Sequence, residues 1–317
     1  MEKRRLGKSD LMIAPVMLGG NVFGWTAKGE TAFAVLDAFL GAGFNAIDTA
    51  DVYSMWIPGH KGGESETVLG EWMKARGNRD KVVLATKVGM LPIDNKAGLS
   101  KAHINKAVEA SLKRLQTDYI DLYFAHRDDE ATPLEETLEA FAELVKAGKV
   151  RTIGASNYSA ARLTEALSIS EKKGLPRYEV LQPLYNLCER EAFEGELEAT
   201  CRAHMIGVVP YFALASGFLT GKYRSEADAS KSMRGATVVK KYLNPRGQKV
   251  LAALDSVAER LKATPAQVAL AWLIAKSAIT APIASATGVD QLKDLVAAAG
   301  LELDRDAMGE LDAAGAA

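Results

Sequence analysis

Four ionisable side chains lie at or just beyond the ends of short apolar stretches in the first half of the chain. Asp48 ends the stretch that begins at residue 44, Tyr53 follows five residues later, and Lys87 and His126 end the next two stretches. A single polar residue at such a position often marks only the start of a loop. Four of them on three adjacent predicted strands indicate a common site, because the carboxyl ends of parallel strands converge in a barrel.

These residue types together suit the donation of a proton to an oxygen atom. A free phenol has a pKa of about 10, and we expect the ammonium group of Lys87 to lower the pKa of Tyr53 by favouring the phenolate. Asp48 would keep the lysine charged in a pocket of low dielectric, and His126 would orient the substrate oxygen or share the proton. The set predicts a general acid for a carbonyl oxygen that gains negative charge. Since no side chain donates hydride, it also predicts a hydride-carrying cofactor.

Short apolar stretches alternate with longer amphipathic ones along the whole chain. The predicted strands occupy residues 16–20, 44–50, 81–89, 120–127, 150–157, 178–186, 206–214 and 280–286. The predicted helices occupy residues 30–42, 64–76, 100–115, 133–147, 159–173, 193–204, 246–262, 265–277 and 289–299. Apolar strands that alternate with helices in this way predict one α/β domain over residues 1–317, a (β/α)₈ TIM barrel. An open doubly wound sheet is the alternative, but no G-x-G-x-x-G turn opens a helix here.

One long segment stands outside this alternation. Residues 222–247 show no clear apolar period and are rich in Lys, Arg, Ser and Gly. Loops of this length in compact domains are uncommon and often functional. Because the segment follows the seventh predicted strand, we expect it to be a loop at the carboxyl end of the barrel, where active sites assemble.

Composition and charge exclude several classes of protein. Lys and Arg number 39 against 40 Asp and Glu, and no basic patch indicates a nucleic acid or an anionic membrane as a partner. Neither a signal-peptide pattern nor an apolar run of about 18 residues is present, which favours a cytoplasmic protein. The two cysteines, Cys188 and Cys201, and four scattered histidines predict neither a disulfide framework nor a metal site. The sequence carries no signal for an oligomeric state.

Six short motifs together resemble the aldo-keto reductase superfamily. They are IDTADVYS, LATKVG, DLYFAHR, GASNY, QPLYN and SGFLTGKY, in this order, and the resemblance covers essentially the whole chain. It implies a (β/α)₈ barrel that binds a nicotinamide dinucleotide without a Rossmann domain. It also implies that Asp48, Tyr53, Lys87 and His126 are the catalytic tetrad, with Tyr53 as the proton donor.

The resemblance further implies a set of cofactor-binding residues. Those expected at the nicotinamide and its ribose are Gly20, Asn21, Asp48, Ser156, Asn157, Gln182 and Tyr211, and those expected at the pyrophosphate are Phe212, Leu214, Ser216, Gly217 and Lys222. The stretch SATGVDQLKDLV resembles the branch that contains potassium-channel β subunits, and places Ser285, Thr287, Gln291 and Asp294 at the adenosine. Lys293 or Arg234 would supply positive charge there. NADP(H) is the preferred cofactor in this interpretation, and NAD(H) is the alternative.

The substrate is expected to be a small-molecule carbonyl compound. Trp25, Met55, Trp56 and His60 follow the first two strands and would line its pocket, which suits a partly apolar ketone and a sugar ring equally well. The leading hypothesis is therefore a reductase of aldehydes or ketones. Two alternatives remain: a cofactor-sensing regulatory subunit with little turnover, and a lyase or isomerase on the same barrel.

Overall fold

Ten strands lie in residues 2–316, the part of the chain that the computed structural model describes. In chain order they are β1 (Arg4–Arg5), β2 (Met12–Ile13), β3 (Met17–Gly19), β4 (Ala46–Asp48), β5 (Val83–Val88), β6 (Ile120–Ala125), β7 (Val150–Ser156), β8 (Tyr178–Gln182), β9 (Gly207–Val208) and β10 (Ile283–Ala284). Strands β3 to β10 pair in parallel in the order β10-β3-β4-β5-β6-β7-β8-β9, and β1 and β2 form a separate antiparallel pair.

Backbone hydrogen bonds join the two ends of the eight-stranded sheet. The N–H of Thr280 donates to the carbonyl oxygen of Val208 at 2.8 Å, and the N–H of Ile283 donates to that of Pro210 at 2.9 Å. The sheet therefore curls round on itself, and the prediction of a (β/α)₈ barrel is confirmed. Each of the eight strands lies within a stretch that the apolar pattern predicted.

Eleven α-helices accompany these strands within residues 2–316. They are α1 (Gly29–Gly41), α2 (Glu64–Arg76), α3 (Lys101–Leu115), α4 (Leu134–Lys146), α5 (Ala160–Lys173), α6 (Glu196–His204), α7 (Gly235–Tyr242), α8 (Pro245–Leu261), α9 (Pro265–Ala275), α10 (Val289–Ala298) and α11 (Arg305–Gly315). Local chemistry sets several of their ends. Thr264 and Gln267 form a capping box at the start of α9, with Pro265 in its first turn.

Two of these helices were not predicted. Helix α7 lies inside the segment 222–247, which was expected to be a loop, so that prediction is wrong for residues 235–242. Its two valines have low helix propensity, but Val238 is buried and Tyr242 stacks on Phe218, with ring centroids 5.5 Å apart. Helix α11 starts at the N-cap Asp304. Tertiary packing, rather than a local signal, supports α7.

The interior of the barrel is apolar at its amino-terminal end. Leu6, Leu11 and Ile13 of the first hairpin pack against one cluster of buried strand residues, which includes Met17, Ala46, Ala85, Leu122, Phe124, Val180 and Val209. A larger apolar cluster lies between the strands and the surrounding helices. This packing leaves the carboxyl ends of the strands as the place for buried polar chemistry. Within residues 2–316 no helix is long and apolar enough to cross a membrane.

Candidate active site

Lys87 is the centre of a buried polar cluster at the carboxyl ends of β4 and β5. Its side chain is 0% exposed, and its Nζ atom lies 2.7 Å from Oδ2 of Asp48 and 2.9 Å from the hydroxyl oxygen of Tyr53. The third donor of the ammonium group goes to the carbonyl oxygen of Thr49 at 2.7 Å. All three ammonium hydrogens therefore have acceptors, which satisfies the requirement for burying a charged lysine.

The loop after β4 brings Tyr53 back over the end of the barrel. Ser54, in the left-handed region with φ of 74°, fixes this loop by donating a hydrogen bond to the carbonyl oxygen of Phe23 at 3.1 Å. The Tyr53 hydroxyl also lies 3.4 Å from Oδ2 of Asp48, so one carboxylate oxygen faces both the lysine and the phenol.

His126 follows β6 and faces the ring of Tyr53. The two ring centroids are 6.1 Å apart, in an edge-to-face arrangement. Burial, together with the positive charge of Lys87, lowers the pKa of His126 well below its ordinary value. Its Nδ1 atom is buried and has no hydrogen-bond partner among residues 2–316. A neutral imidazole therefore stands beside the phenol, and the four predicted catalytic residues are brought together.

The pKa of Tyr53 moves in the direction opposite to the one expected from the sequence. Burial raises the pKa of Tyr53 well above its ordinary value, and the Asp48 carboxylate raises it further. Burial also lowers the pKa of Lys87, and Asp48 opposes that change. The expected net lowering of the tyrosine pKa is thus not found, because burial and the Asp48 carboxylate both act in the opposite direction. Tyr53 keeps its proton at neutral pH, which is the form that a proton donor needs.

A chain of hydrogen bonds connects Asp48 to the strand ends across the barrel. The side-chain Nε2 of Gln182 donates to Oδ1 of Asp48 at 2.9 Å. The backbone carbonyl oxygen of Gln182 accepts a hydrogen bond from the hydroxyl of Ser156 at 2.8 Å. Asn157 donates to Ser156 Oγ at 3.1 Å and accepts from the hydroxyl of Tyr211 at 2.8 Å. The structure thus joins four residues predicted for the nicotinamide to the polar cluster around Lys87.

The turn after β9 has an unusual backbone. Phe212, Ala215, Ser216 and Gly217 all have positive φ angles, of 52°, 47°, 56° and 92°. Non-glycine residues seldom adopt this conformation, and turns of this kind form concave surfaces that bind anions through backbone N–H groups. The ammonium group of Lys222 lies over Gly217, 3.4 Å from the position that a Cβ atom would take there. The ammonium group of Lys222 therefore lies beside the turn that carries the other residues predicted for the pyrophosphate.

The residues predicted for the adenosine are only partly brought together. Oε1 of Gln291 accepts hydrogen bonds from the backbone N–H of Thr287 at 3.0 Å and from its hydroxyl at 3.1 Å. Ser285 donates to Oδ1 of Asn21 at 2.6 Å, which joins the loop after β10 to the loop after β3. Asp294 instead accepts from Gln267 at 2.8 Å, at the start of α9. This contact engages one oxygen of the Asp294 carboxylate, and its expected place at the adenosine stays a prediction.

Gly20 lies directly above the catalytic carboxylate residue. A Cβ atom at Gly20 would lie 2.9 Å from the carbonyl oxygen of Asp48 and 3.0 Å from Oγ of Ser65. Any side chain at this position would displace the backbone that carries Asp48. The glycine predicted at the nicotinamide ribose is thus required by close approach.

Two tryptophans stand next to the phenol on the open side of the site. The ring centroid of Trp56 is 6.1 Å from that of Tyr53 and 5.7 Å from that of Trp25, and Trp56 is 46% exposed. Met55 is also exposed, and Nδ1 of His60 lies 4.0 Å from Oε1 of Glu64. Among the residues predicted for the substrate pocket, the two tryptophans are therefore the ones shown beside Tyr53.

Arg234 also lies at this open side. Its guanidinium carbon is 4.6 Å from the ring centroid of Trp25, and its charge opposes the rise in the pKa of Tyr53. This contact connects the segment 222–247 with the loop after β3, across the mouth of the barrel. It brings Arg234 close to the phenol, whereas the sequence indicated only a general source of positive charge for the cofactor.

The sequence interpretation missed several buried polar residues behind Lys87. Thr49 supplies the third acceptor to the lysine, and Asp51, Glu66 and Thr86 are each at most 1% exposed. The signal was present in the motif IDTADVYS, which contains a second aspartate three residues after the first. No group of three or more His, Cys, Asp or Glu side chains in the described part of the chain could hold a metal ion.

A closed (β/α)₈ barrel with a buried lysine and carboxylate beside a half-buried phenol and imidazole, at the carboxyl ends of its strands, has the architecture of a barrel enzyme. The family model described as "Aldo/keto reductase family" matches residues 15–316. The chain belongs to this family. Membership supports an oxidoreductase activity on carbonyl compounds, and members generally use nicotinamide cofactors, usually NADPH.

Three relatives are similar to the chain over nearly its whole length. "Uncharacterized oxidoreductase YrpG" of Bacillus subtilis (strain 168) is 36% identical over 98% of this chain and 95% of its own length. "Protein tas" of Escherichia coli (strain K12) is 32% identical over 99% of this chain and 97% of its own. "Putative voltage-gated potassium channel subunit beta" of Schizosaccharomyces pombe (strain 972 / ATCC 24843) is 33% identical over 93% of this chain and 87% of its own length. The predicted resemblance to the family and to its channel-subunit branch is confirmed.

Proposed function

We propose that the protein reduces an aldehyde or ketone to the alcohol with NAD(P)H, and that Tyr53 donates the proton to the carbonyl oxygen. The observation that carries this proposal is the position of Lys87. Its ammonium group touches the phenol of Tyr53 at 2.9 Å and the carboxylate of Asp48 at 2.7 Å, out of contact with water. When bound, the nicotinamide supplies the hydride that no side chain can provide.

Each of the four residues has its own role in the transfer of the proton. As the carbonyl oxygen gains negative charge, the hydroxyl of Tyr53 donates its proton to that oxygen. The adjacent ammonium group of Lys87 stabilises the phenolate that forms, and Asp48 holds the ammonium in position. His126 is neutral, so it offers a hydrogen bond to the substrate oxygen without adding a competing charge.

Two features of the chain support the dinucleotide site. The concave turn at residues 212–217 and the ammonium group of Lys222 suit the pyrophosphate. Ser156, Asn157 and Gln182 present side-chain amides and a hydroxyl for the nicotinamide carboxamide. We propose NADP(H) as the preferred cofactor, with Ser285, Thr287 and Gln291 towards its adenosine half.

A regulatory subunit that senses the cofactor with little turnover is the second candidate. The 33% identity to a relative named as a putative channel subunit favours it. The two candidates share the same cofactor site, so binding alone does not separate them. Turnover of a carbonyl compound does.

A fluorescence titration followed by a turnover assay tests the proposal. Purified protein is titrated with NADPH and with NADH, and quenching of tryptophan emission gives the two dissociation constants. Oxidation of NADPH is then followed with neutral aromatic aldehydes, ring ketones and aldoses. Binding with turnover supports the reductase, and binding without any turnover supports the regulatory subunit. If neither dinucleotide binds at micromolar concentrations, the oxidoreductase proposal fails.

A further inference from the structure

Asp51 is a buried acidic residue that the proposed mechanism does not use. It lies in the loop after β4, is 1% exposed, and donates its backbone N–H to the carbonyl oxygen of Lys87 at 3.3 Å. Neither Oδ atom of its side chain accepts a hydrogen bond from another side chain among residues 2–316, and the backbone N–H of Val52 opposes only part of the effect of burial. An ionised carboxylate in such surroundings would lose its hydration without replacement. A neutral carboxylic acid would lose far less.

The neighbouring acidic residue, Glu66, differs from Asp51 in having hydrogen-bond partners for its carboxylate. Glu66 of α2 is 0% exposed, but its Oε1 atom accepts a hydrogen bond from Thr86 at 2.6 Å. Its Oε2 atom accepts one from Nε of Arg114 of α3 at 2.7 Å. Arg114 also donates to Ser111 at 3.2 Å. Both oxygens of Glu66 are therefore satisfied, and the guanidinium group is committed to Glu66.

The charges in this buried region do not balance if every group is ionised. The carboxyl groups are those of Asp48, Asp51 and Glu66, and the cations are those of Lys87 and Arg114. Lys87 pairs with Asp48 and Arg114 pairs with Glu66, each at 2.7 Å. One carboxylate is left without a cation, and it is that of Asp51, which accepts no hydrogen bond from a side chain in residues 2–316. A single added proton makes this set of three carboxyl groups and two cations neutral overall.

Tyr123 completes the surroundings of Asp51. It lies on β6 beside Thr86 of β5, is 0% exposed, and its hydroxyl has no hydrogen-bond partner in the part of the chain that the structure describes. Burial raises the pKa of Tyr123 well above its ordinary value, and Asp51 and Glu66 raise it further. Burial also raises the pKa of Asp51 well above its ordinary value, with Glu66 as the next cause.

From this arrangement we propose that Asp51 carries a proton at neutral pH and forms, with Glu66, Arg114 and Tyr123, a proton-holding site behind Lys87. Because the acid is neutral, it adds no negative charge next to the lysine, and the ammonium interacts mainly with Asp48 and Tyr53. This last consequence for catalysis rests on the proposed function. The protonation of Asp51 does not.

The pH dependence of stability tests the site directly. In the unfolded chain an aspartate ionises at about pH 3.9, so above that pH the native state binds one proton more than the unfolded state. The contribution of Asp51 to stability must then fall as pH rises, and Asp51→Asn removes this contribution because the amide resembles the neutral acid. We expect the unfolding constant of the wild-type protein, relative to Asp51→Asn, to rise about tenfold per pH unit between pH 5 and pH 8 in urea denaturation.

A contrasting variant and a spectroscopic signature accompany this measurement. Glu66→Gln leaves Arg114 without its carboxylate and should lower stability at every pH in the range. Infrared spectra of the wild-type protein at pH 7 should show the C=O stretching band of a protonated carboxylic acid, which persists in Tyr123→Phe and disappears in Asp51→Asn. If the band is missing, or if Asp51→Asn is less stable by an amount independent of pH, Asp51 is ionised and the proposal is wrong.

Kinetics separate this inference from the proposed function. Asp51→Asn should keep kcat/KM at pH 7 within about threefold of the wild-type value, since one neutral group replaces another. If the infrared band is present and the wild-type protein reduces no carbonyl compound, the proton-holding site stands and the reductase proposal fails. If turnover is present without the band, the reverse conclusion follows.

Discussion

Nζ of Lys87 and Oδ2 of Asp48 lie 2.7 Å apart, with side chains that are 0% and 2% exposed. A pair buried this completely contributes little net stability, because the loss of hydration offsets most of the attraction between the charges. Breaking the pair is nevertheless costly, since the remaining charge has no water around it. The pair therefore has a function beyond stability, and its contact with Tyr53 indicates what that function is.

Tyr53→Phe should remove carbonyl reduction while leaving the cofactor site in place. We expect kcat to fall by about 10²- to 10⁴-fold, the usual contribution of a positioned general acid. The dissociation constant for NADPH should change by less than about threefold, because only the hydroxyl is removed. The measurements are steady-state NADPH oxidation and the fluorescence titration.

The matched control for this variant is Tyr119→Phe. Tyr119 packs against the guanidinium group of Arg79, with the ring centroid 3.9 Å from its carbon. It lies just before β6, at the opposite end of that strand from His126, and loss of its hydroxyl should leave kcat unchanged. Turnover by Tyr53→Phe within tenfold of the wild-type value would remove Tyr53 from the role of acid.

Lys87→Met should destabilise the protein as well as inactivate it. Asp48 would keep a buried charge without its partner, which costs about 3–5 kcal/mol. The double variant Lys87→Met with Asp48→Asn should recover much of this stability and none of the activity. Urea denaturation and turnover assays on both variants check the prediction. Equal stability of the single and double variants would mean that Asp48 is not left unpaired when the lysine is removed.

His126 should make the protein less stable at mildly acidic pH. Its pKa is lowered in the native state, so below the ordinary histidine pKa of about 6.5 the unfolded chain binds more protons than the native protein. The contribution of His126 to stability therefore falls as pH decreases from about 6.5 to 5, by up to about 1.4 kcal/mol per unit. His126→Asn should lack this loss. Parallel slopes for the two proteins in urea denaturation would show that His126 becomes charged inside the native state.

Lys222→Met should weaken cofactor binding without affecting the chemical step. Loss of one charged contact to a phosphate group corresponds to about 1.5–3 kcal/mol, or roughly a ten- to hundredfold higher dissociation constant. At saturating NADPH, kcat should stay close to the wild-type value. The control is Lys240→Met, which removes an exposed lysine from α7. An unchanged dissociation constant for Lys222→Met would place the pyrophosphate elsewhere.

The architecture followed from the sequence because its signals are local. Apolar stretches of strand length, glycine and proline at element ends, and the regular alternation with helices are all properties of neighbouring residues. The same alternation put Asp48, Lys87 and His126 at strand ends on one side of the barrel. Parallel strands converge there, so these three residues met as expected.

What only the tertiary structure decided depends on burial and on contacts between distant segments. Helix α7 is supported by the packing of Tyr242 on Phe218, and no local sequence pattern predicts this contact. Asp294, expected at the adenosine, accepts a hydrogen bond from Gln267 of α9 through one carboxylate oxygen. Contacts of this kind join elements that are remote in sequence, so their partners cannot be read from neighbouring residues.

The protonation states of the site were also decided by the tertiary structure. From residue types alone, a lysine beside a tyrosine predicts a lowered tyrosine pKa, and the direction reverses once Tyr53 is buried against Asp48. Likewise, the motif IDTADVYS contains two aspartates, and only the fold shows that they have different hydrogen-bond partners. Asp48 receives a lysine and a glutamine, whereas Asp51 receives no hydrogen bond from any side chain in residues 2–316. Residue identity supplied the groups, and desolvation, which depends on every neighbour in space, decided their charges.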